Sequence, residues 1–124
     1  MITAAEVMTK HVVDIDANAT VAQAIEKMKQ LNVSSLLVGR NQAGDMWGFM
    51  SQTDVVEKVV APGLDPETVY VHEIMHKPVI TVPPNASLQD CAALMARADI
   101  RRVLVYDGQD IVGIVSSTDI FNAI

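Results

Sequence analysis

The sequence predicts an α/β fold made of two β-α-β-β-α repeats, packed with pseudo-twofold symmetry around a shared core. Three observations predict it. The chain aligns with itself, each copy carries helical apolar periodicity behind a capping signal, and each copy then offers two short apolar runs around a Gly-containing turn. At an offset of 67, Val7-Met8 falls on Ile74-Met75, and Asn18-Ala19-Thr20-Val21 on Asn85-Ala86-Ser87-Leu88. Met28 falls on Met95, Val33 on Ile100, and Leu36-Leu37-Val38 on Val103-Leu104-Val105. The offset then becomes 65, and Gly48-Phe49-Met50-Ser51-Gln52-Thr53-Asp54 falls on Gly113-Ile114-Val115-Ser116-Ser117-Thr118-Asp119. The boundaries that follow are 1–60 for the first repeat, 61–70 for the linker and 71–124 for the second repeat.

Each repeat opens with an extended segment, Val12 to Ile15 and Val79 to Val82, the second stopped by Pro83-Pro84. Thr20-x-x-Gln23 is a capping box, and Ser87-x-x-Asp90 is its acidic relative. Behind them, Val21, Ala24, Ile25 and Met28, and likewise Leu88, Cys91, Ala92 and Met95, fall at i, i+3, i+4, i+7. That spacing predicts one apolar face per helix. Two hairpin strands come next. Leu36 to Val38 and Trp47 to Met50 flank a turn with Gly39 and Gly44, and Val103 to Tyr106 and Ile111 to Val115 flank Asp107-Gly108-Gln109-Asp110. A second helix starts at Ser51 or Ser116 and reaches about Val60 or the chain end. The linker is too short to separate independent domains, so the two sheets are expected to pack together.

Composition narrows the function classes. Half the 124 residues are hydrophobic, enough for a real core. No apolar run is long enough to span a bilayer, and the first residues lack a basic region followed by an apolar stretch, so a cytoplasmic protein is the expectation. The formal charge is −6 and basic residues are scattered, which disfavours nucleic acid or an anionic membrane as partner. The single cysteine, Cys91, excludes an internal disulfide and reads as a small core residue.

Several chemical motifs compete. His72-Glu73-Ile74-Met75-His76 fits H-E-x-x-H, in which two histidines on one helical face hold zinc beside a glutamate base. Lys77-Pro78 cuts any helix right after His76, and the matching Glu6-Val7-Met8 has no histidines, so a metal-dependent hydrolase through His72, Glu73 and His76 is the remote alternative. There is no P-loop and no G-x-G-x-x-G; no enzyme is expected, and no cofactor is required. Ser51-x-x-Asp54 and Ser116-x-x-Asp119 are themselves capping boxes and could exist only to start their helices.

The two copies of Val7-Met8-Thr9 and Ile74-Met75-His76, the segment Pro78-Val79-Ile80-Thr81-Val82, and the twice-repeated Gly-apolar-apolar-Ser-x-Thr-Asp resemble the CBS (cystathionine-β-synthase-type) domain family in its tandem arrangement, the Bateman module. The resemblance covers about residues 4 to 122. It implies a regulatory module that binds AMP, ADP, ATP or S-adenosylmethionine in clefts between the repeats and signals to a partner protein. It implies that Asp119 and Asp54 accept from ribose hydroxyls, with Ser116 and Thr118, and Ser51 and Thr53, touching ribose or phosphate. It places adenine against His11, Val12 and Val13 in the Asp119 cleft, and against Pro78, Val79 and Ile80 in the Asp54 cleft. Arg101 and Arg102 match the family's phosphate-holding positions, and their counterparts in the first repeat are the uncharged Ser34 and Ser35.

The Asp119 cleft is therefore expected to be the better site for a phosphorylated ligand, with the Asp54 cleft borrowing cations from Arg101 or Arg102. The residue chemistry agrees, because a carboxylate suits vicinal hydroxyls and guanidinium forks suit phosphate oxygens. A homodimer through the second helices, with Val55, Val56, Val59, Ile120, Phe121 and Ile124 as its surface, is the expected assembly. A ligand-free dimerisation or protein-interaction module is the alternative reading.

Overall fold

Thr20 and Ser87 show how the sequence places its longest helices. Each has extended backbone, and its hydroxyl accepts the amide N–H three residues on, from Gln23 at 3.2 Å and Asp90 at 3.0 Å. Helices α2 (Val21–Leu31) and α5 (Leu88–Ala98) follow, and both end on a left-handed residue, Asn32 and Asp99. Asn and Asp tolerate that conformation better than other side chains with a Cβ. The Thr20 box closes reciprocally, since Gln23 Oε1 accepts the Thr20 N–H at 2.9 Å. The Ser87 box is one-sided: Ser87 caps Asp90, without the return bond.

The computed structural model describes residues 1–39 and 47–124, so Gly44, placed by the sequence in the first hairpin turn, lies outside the described residues. The remaining elements are α1 (Ala4–Val7), β1 (Asp14–Ile15), β2 (Ser35–Val38), β3 (Gly48–Ser51), α3 (Gln52–Val55) with a π-helical turn over Val56–Val60, α4 (Val71–Ile74), β4 (Thr81–Val82), β5 (Arg102–Tyr106), β6 (Ile111–Ser116) and α6 (Ser117–Asn122). They build two three-stranded sheets, β1-β2-β3 and β4-β5-β6. In each, the first pair is parallel and the second antiparallel. The repeat read from the sequence is thus repeated in strand order and direction.

The chain forms two compact units, Val13–Val79, and Met1–Val12 with Ile80–Ile124. The sequence repeats and these units cut the chain at different places. The opening segment of the first repeat packs with the sheet of the second: Thr3 bridges Ser87, and Thr9 bridges Ile114. The opening of the second repeat packs with the sheet of the first: Tyr70 bridges Thr20, and His76 bridges Phe49. The stretch expected as linker joins in, for Pro66 and Val69 carbonyls accept from Ala22 and Val21 at the start of α2, and Val69 is buried.

Each unit has its own apolar cluster. One gathers Val21, Ala24 and Met28 of α2 with Leu36, Val38, Met50, Val71 and Ile74. The other gathers Cys91 and Met95 of α5 with Ala4, Val82, Val103, Val105 and Val115. Ala92, expected on the inward face of α5, is exposed; Leu94 packs against the cluster instead.

Glycine explains one invariant of the repeated motif. A Cβ at Gly48 would meet Met75 Sδ at 2.7 Å, and one at Gly113 would run into Met8 Sδ and Cγ. The methionine that opens one repeat lies on the glycine that closes the other, so the strand needs a residue without a side chain there.

Two expectations about the second helices change. Val55 and Val59 are 6% and 0% exposed and belong to the core cluster of their unit, so they cannot form a docking surface. Their spacing of four turns both inward. The exposed apolar residues on these segments are Val56, Val60, Phe121 and Ile124, with Ile120 half-buried and packed on its own cluster.

Candidate functional site

Both Ser-x-x-Asp motifs do cap their helices. Asp54 Oδ2 accepts from the Ser51 N–H at 2.8 Å and from Ser51 Oγ at 3.2 Å. Asp119 Oδ2 does the same with the Ser116 N–H at 2.8 Å and Ser116 Oγ at 2.9 Å. In return the serine hydroxyls accept the Asp54 and Asp119 N–H groups. Capping consumes one carboxylate oxygen in each repeat and leaves Oδ1 for other partners.

The two Oδ1 atoms have different surroundings. Among the described residues, Asp119 Oδ1 has no hydrogen-bond or ion-pair partner, and the residue is half-buried. Asp54 is 5% exposed, and its Oδ1 lies 2.6 Å from His76 Nε2 and 3.3 Å from Lys58 Nζ. A carboxylate can only accept, so the His76 tautomer carries its hydrogen on Nε2. Lys58 also donates to the Ile74 carbonyl at 2.9 Å, which ties the end of α4 to the segment after α3.

The sequence-predicted residues sort cleanly. Asp119, Thr118, Ser116, Arg101, Arg102, His11 and Val12 all belong to the unit of Met1–Val12 and Ile80–Ile124; Val13 begins the other unit. Asp54, Thr53, Ser51, Pro78 and Val79 all belong to Val13–Val79, and Ile80 begins the other unit. Each candidate site therefore draws on both repeats of the sequence while falling almost wholly within one packed unit.

Around Asp119 the register brings charge and hydroxyl together. Arg102 is the cross-strand partner of Ser116, so the two side chains share a sheet face. The Arg101 carbonyl accepts the Ser117 N–H at 2.9 Å, which fixes the start of β5 beside the start of α6. Neither guanidinium makes an ion pair or hydrogen bond among the described residues. Thr118 is exposed, as is His11, while Val12 is half-buried. Around Asp54 the corresponding pair is Ser35 and Ser51, without charge. Within its own unit Asp54 is met by the Lys58 ammonium and the His76 ring.

Lys58 was legible in principle, since it stands at i+4 from Asp54, the spacing of helical ion pairs. His76 was hidden by the H-E-x-x-H string. That string does not form the one-faced helical arrangement that H-E-x-x-H implies. Helix α4 ends at Ile74 and Met75 is extended, so His72 and His76 do not share a helical face. His72 stacks on Tyr70, Glu73 accepts the Tyr70 N–H at 2.7 Å, and His76 goes to Asp54. No cluster of three or more His, Cys, Asp or Glu suited to a metal occurs among the described residues. A depression of about 330 Å³ opens between α5 and α6, lined by Ala92, Met95, Asp99, Ser117 and Ile120.

Comparison with known proteins bears on the family and the fold. Residues 4–61 and 71–124 each match the CBS domain family. The CBS domain-containing protein YhcV of Bacillus subtilis is 34% identical over 115 residues, covering 93% of this chain and 80% of the relative. Hypoxic response protein 1 of Mycobacterium tuberculosis is 31% identical over 97% of this chain and 83% of its own length. Among solved structures, a hexameric CBS-CP12 protein from bloom-forming cyanobacteria superposes with a TM-score of 0.92 at 40% identity, covering 98% of this chain and 70% of that one. Hypoxic Response Protein I with two coordinated zinc ions superposes with a TM-score of 0.79 at 30% identity over the full length of both chains. Two family matches, two equivalent sheets and one repeated Ser-x-Thr-Asp motif lead to one conclusion: the chain belongs to the CBS domain family, as a tandem pair, the regulatory module of that family.

Proposed function

We propose that this chain is a ligand sensor. It binds an adenine nucleotide (AMP, ADP or ATP) or S-adenosylmethionine at the Asp119 site and passes the signal to a partner protein. The observation that supports this reading is Asp119 Oδ1, a carboxylate oxygen unpaired among the described residues, in one packed unit with Arg101 and Arg102. The carboxylate accepts from two vicinal hydroxyls, the guanidinium forks take phosphate oxygens, and His11 and Val12 supply a wall for the base. Binding biases the module only through unequal affinity for its alternative conformations, so the signal is a population shift read by the partner.

The second reading is a module for self-association without ligand. Phe121 and Ile124, 72% and 92% exposed, favour it. The sensing and self-associating roles are compatible, and we place any homodimer contact on Phe121, Ile124, Val56 and Val60. The CBS-CP12 protein is hexameric, which gives self-association as such a precedent among similar chains. Among the described residues no helix is long and apolar enough to cross a membrane; we place the protein in the cytoplasm.

A thermal-shift screen separates the readings. A ligand at 100 times its dissociation constant stabilises the folded state by about 2.7 kcal/mol. A rise in melting temperature with one of AMP, ADP, ATP or S-adenosylmethionine is the expected result. A flat response to all four leaves the ligand-free reading.

A further inference from the structure

The two closing aspartates occupy equivalent frames and differ in what reaches them. The bridge between His76 and Phe49 is the repeat counterpart of the bridge between Thr9 and Ile114, at offsets of 67 and 65. His76 and Thr9 therefore hold matching backbone positions beside matching strands. One carries an imidazole that reaches its aspartate; the other carries a short hydroxyl that is not hydrogen-bonded to Asp119. Lys58 and Ala123 stand four residues after Asp54 and Asp119, so only the first repeat has a cation there.

A buried carboxylate is costly unless compensated, and a ring N–H at 2.6 Å is a charge-assisted bond of the strong kind. A ligand's hydroxyls would have to compete for Asp54 Oδ1 with a donor already in place. Oδ1 already holds both the His76 ring and the Lys58 ammonium, so an incoming hydroxyl has to displace one of them. The Lys58 contact is longer, and its side chain is 39% exposed, so it can turn to a ligand. The His76 side chain is 59% exposed, which leaves it room to be removed without opening the core.

We infer that His76 is an internal stopper on the Asp54 site, so that the tandem pair takes one ligand per chain, at Asp119, and His76 sets that stoichiometry. The inference deepens the sensing reading and rests on it for the chemistry of the ligand. His76 acts by holding the carboxylate that the ligand would need.

Titration calorimetry with ATP, and with adenosine as a probe that needs no phosphate contact, tests it on the full chain. The wild type should take one equivalent. His76→Thr, which installs the residue of the other repeat, should take two, the second event being weaker. Asp119→Ala/His76→Thr should keep one. The reverse graft, Thr9→His, should weaken the Asp119 site by about tenfold, the worth of one charge-assisted bond. His76→Gln, which retains an N–H donor, serves as a second variant and should stay at one. Two equivalents in the wild type, or one in both wild type and His76→Thr, overturns the stopper while leaving the sensing reading intact. No binding in the wild type with one equivalent in His76→Thr supports the stopper and removes the Asp119 site; no binding in either removes both.

Discussion

Asp54 and Asp119 show why a residue's role has to be divided between its atoms. The sequence offered two readings of Ser-x-x-Asp, helix cap or ribose acceptor. The structure assigns the cap to Oδ2 in both repeats, and the second reading concerns Oδ1 alone. The cap was legible because it depends on residues three apart. The His76 contact was not, because it joins residues 22 apart that only the fold brings together. The one signal available was the internal alignment, which sets His76 against Thr9.

Cys91 was legible from its place on the apolar stripe of α5, and it is fully buried. Burial pushes its thiol above the ordinary range, and the neighbouring Asp90 charge pushes it the same way. A thiol reagent at mildly alkaline pH should therefore leave the native protein unlabelled and label it fully in denaturant. Rapid labelling of the native fold would contradict the packing of α5. The pH consequence has a definite sign. The folded-state value is raised, so the stabilisation is complete below the ordinary thiol range and is lost as pH climbs through the raised value.

Asp107 has the opposite sign. It is held below the usual carboxylate range first by the Asp110 N–H and then by the Gln109 N–H in the β5–β6 turn. Its contribution is present above that range and fades as acid protonates it in the fold.

At the scale of elements, the periodicity of α2 predicted its inward face well: Val21, Ala24 and Met28 are buried. The same rule misplaced Ala92 on α5 and left Val55 and Val59 unassigned to a core. A period of 3.6 gives a stripe, and which edge of the stripe is covered depends on what packs there. The strand glycines carry a sharper prediction. At Gly113 the nearest atoms include Met8 Cβ, which a rotamer change cannot move away. Gly113→Ala should destabilise the protein by about 1–3 kcal/mol, the usual cost of forcing a methyl into a packed site. Urea unfolding measures it, and an unchanged midpoint would mean that Met8 does not lie on β6.

At the scale of the molecule, the repeat was legible in full and its packing was not. Self-alignment gives two copies of β-α-β-β-α, and both sheets have that order. It does not say that Thr3 and Thr9 belong with Ser87 and Ile114, or that Tyr70 and His76 belong with Thr20 and Phe49. These bridges join residues far apart in the chain, and only the family resemblance, which set His11 to Val13 against the Asp119 cleft, pointed to the exchange. The exchange decides which candidate residues share a unit. It puts His11 and Val12 in the unit that holds Asp119, and it brings His76 to Asp54.

An adenine-ligand site at Asp119 can be probed by titrating the wild type and Asp119→Asn with the nucleotide or S-adenosylmethionine that gives the largest thermal shift. Asparagine can still cap α6 through its carbonyl oxygen, so the fold is kept while the charge is removed. Saturable binding by the wild type is expected, with a loss of about tenfold or more in Asp119→Asn, the loss of a charge-assisted acceptor. Equal affinity in the two proteins would contradict it.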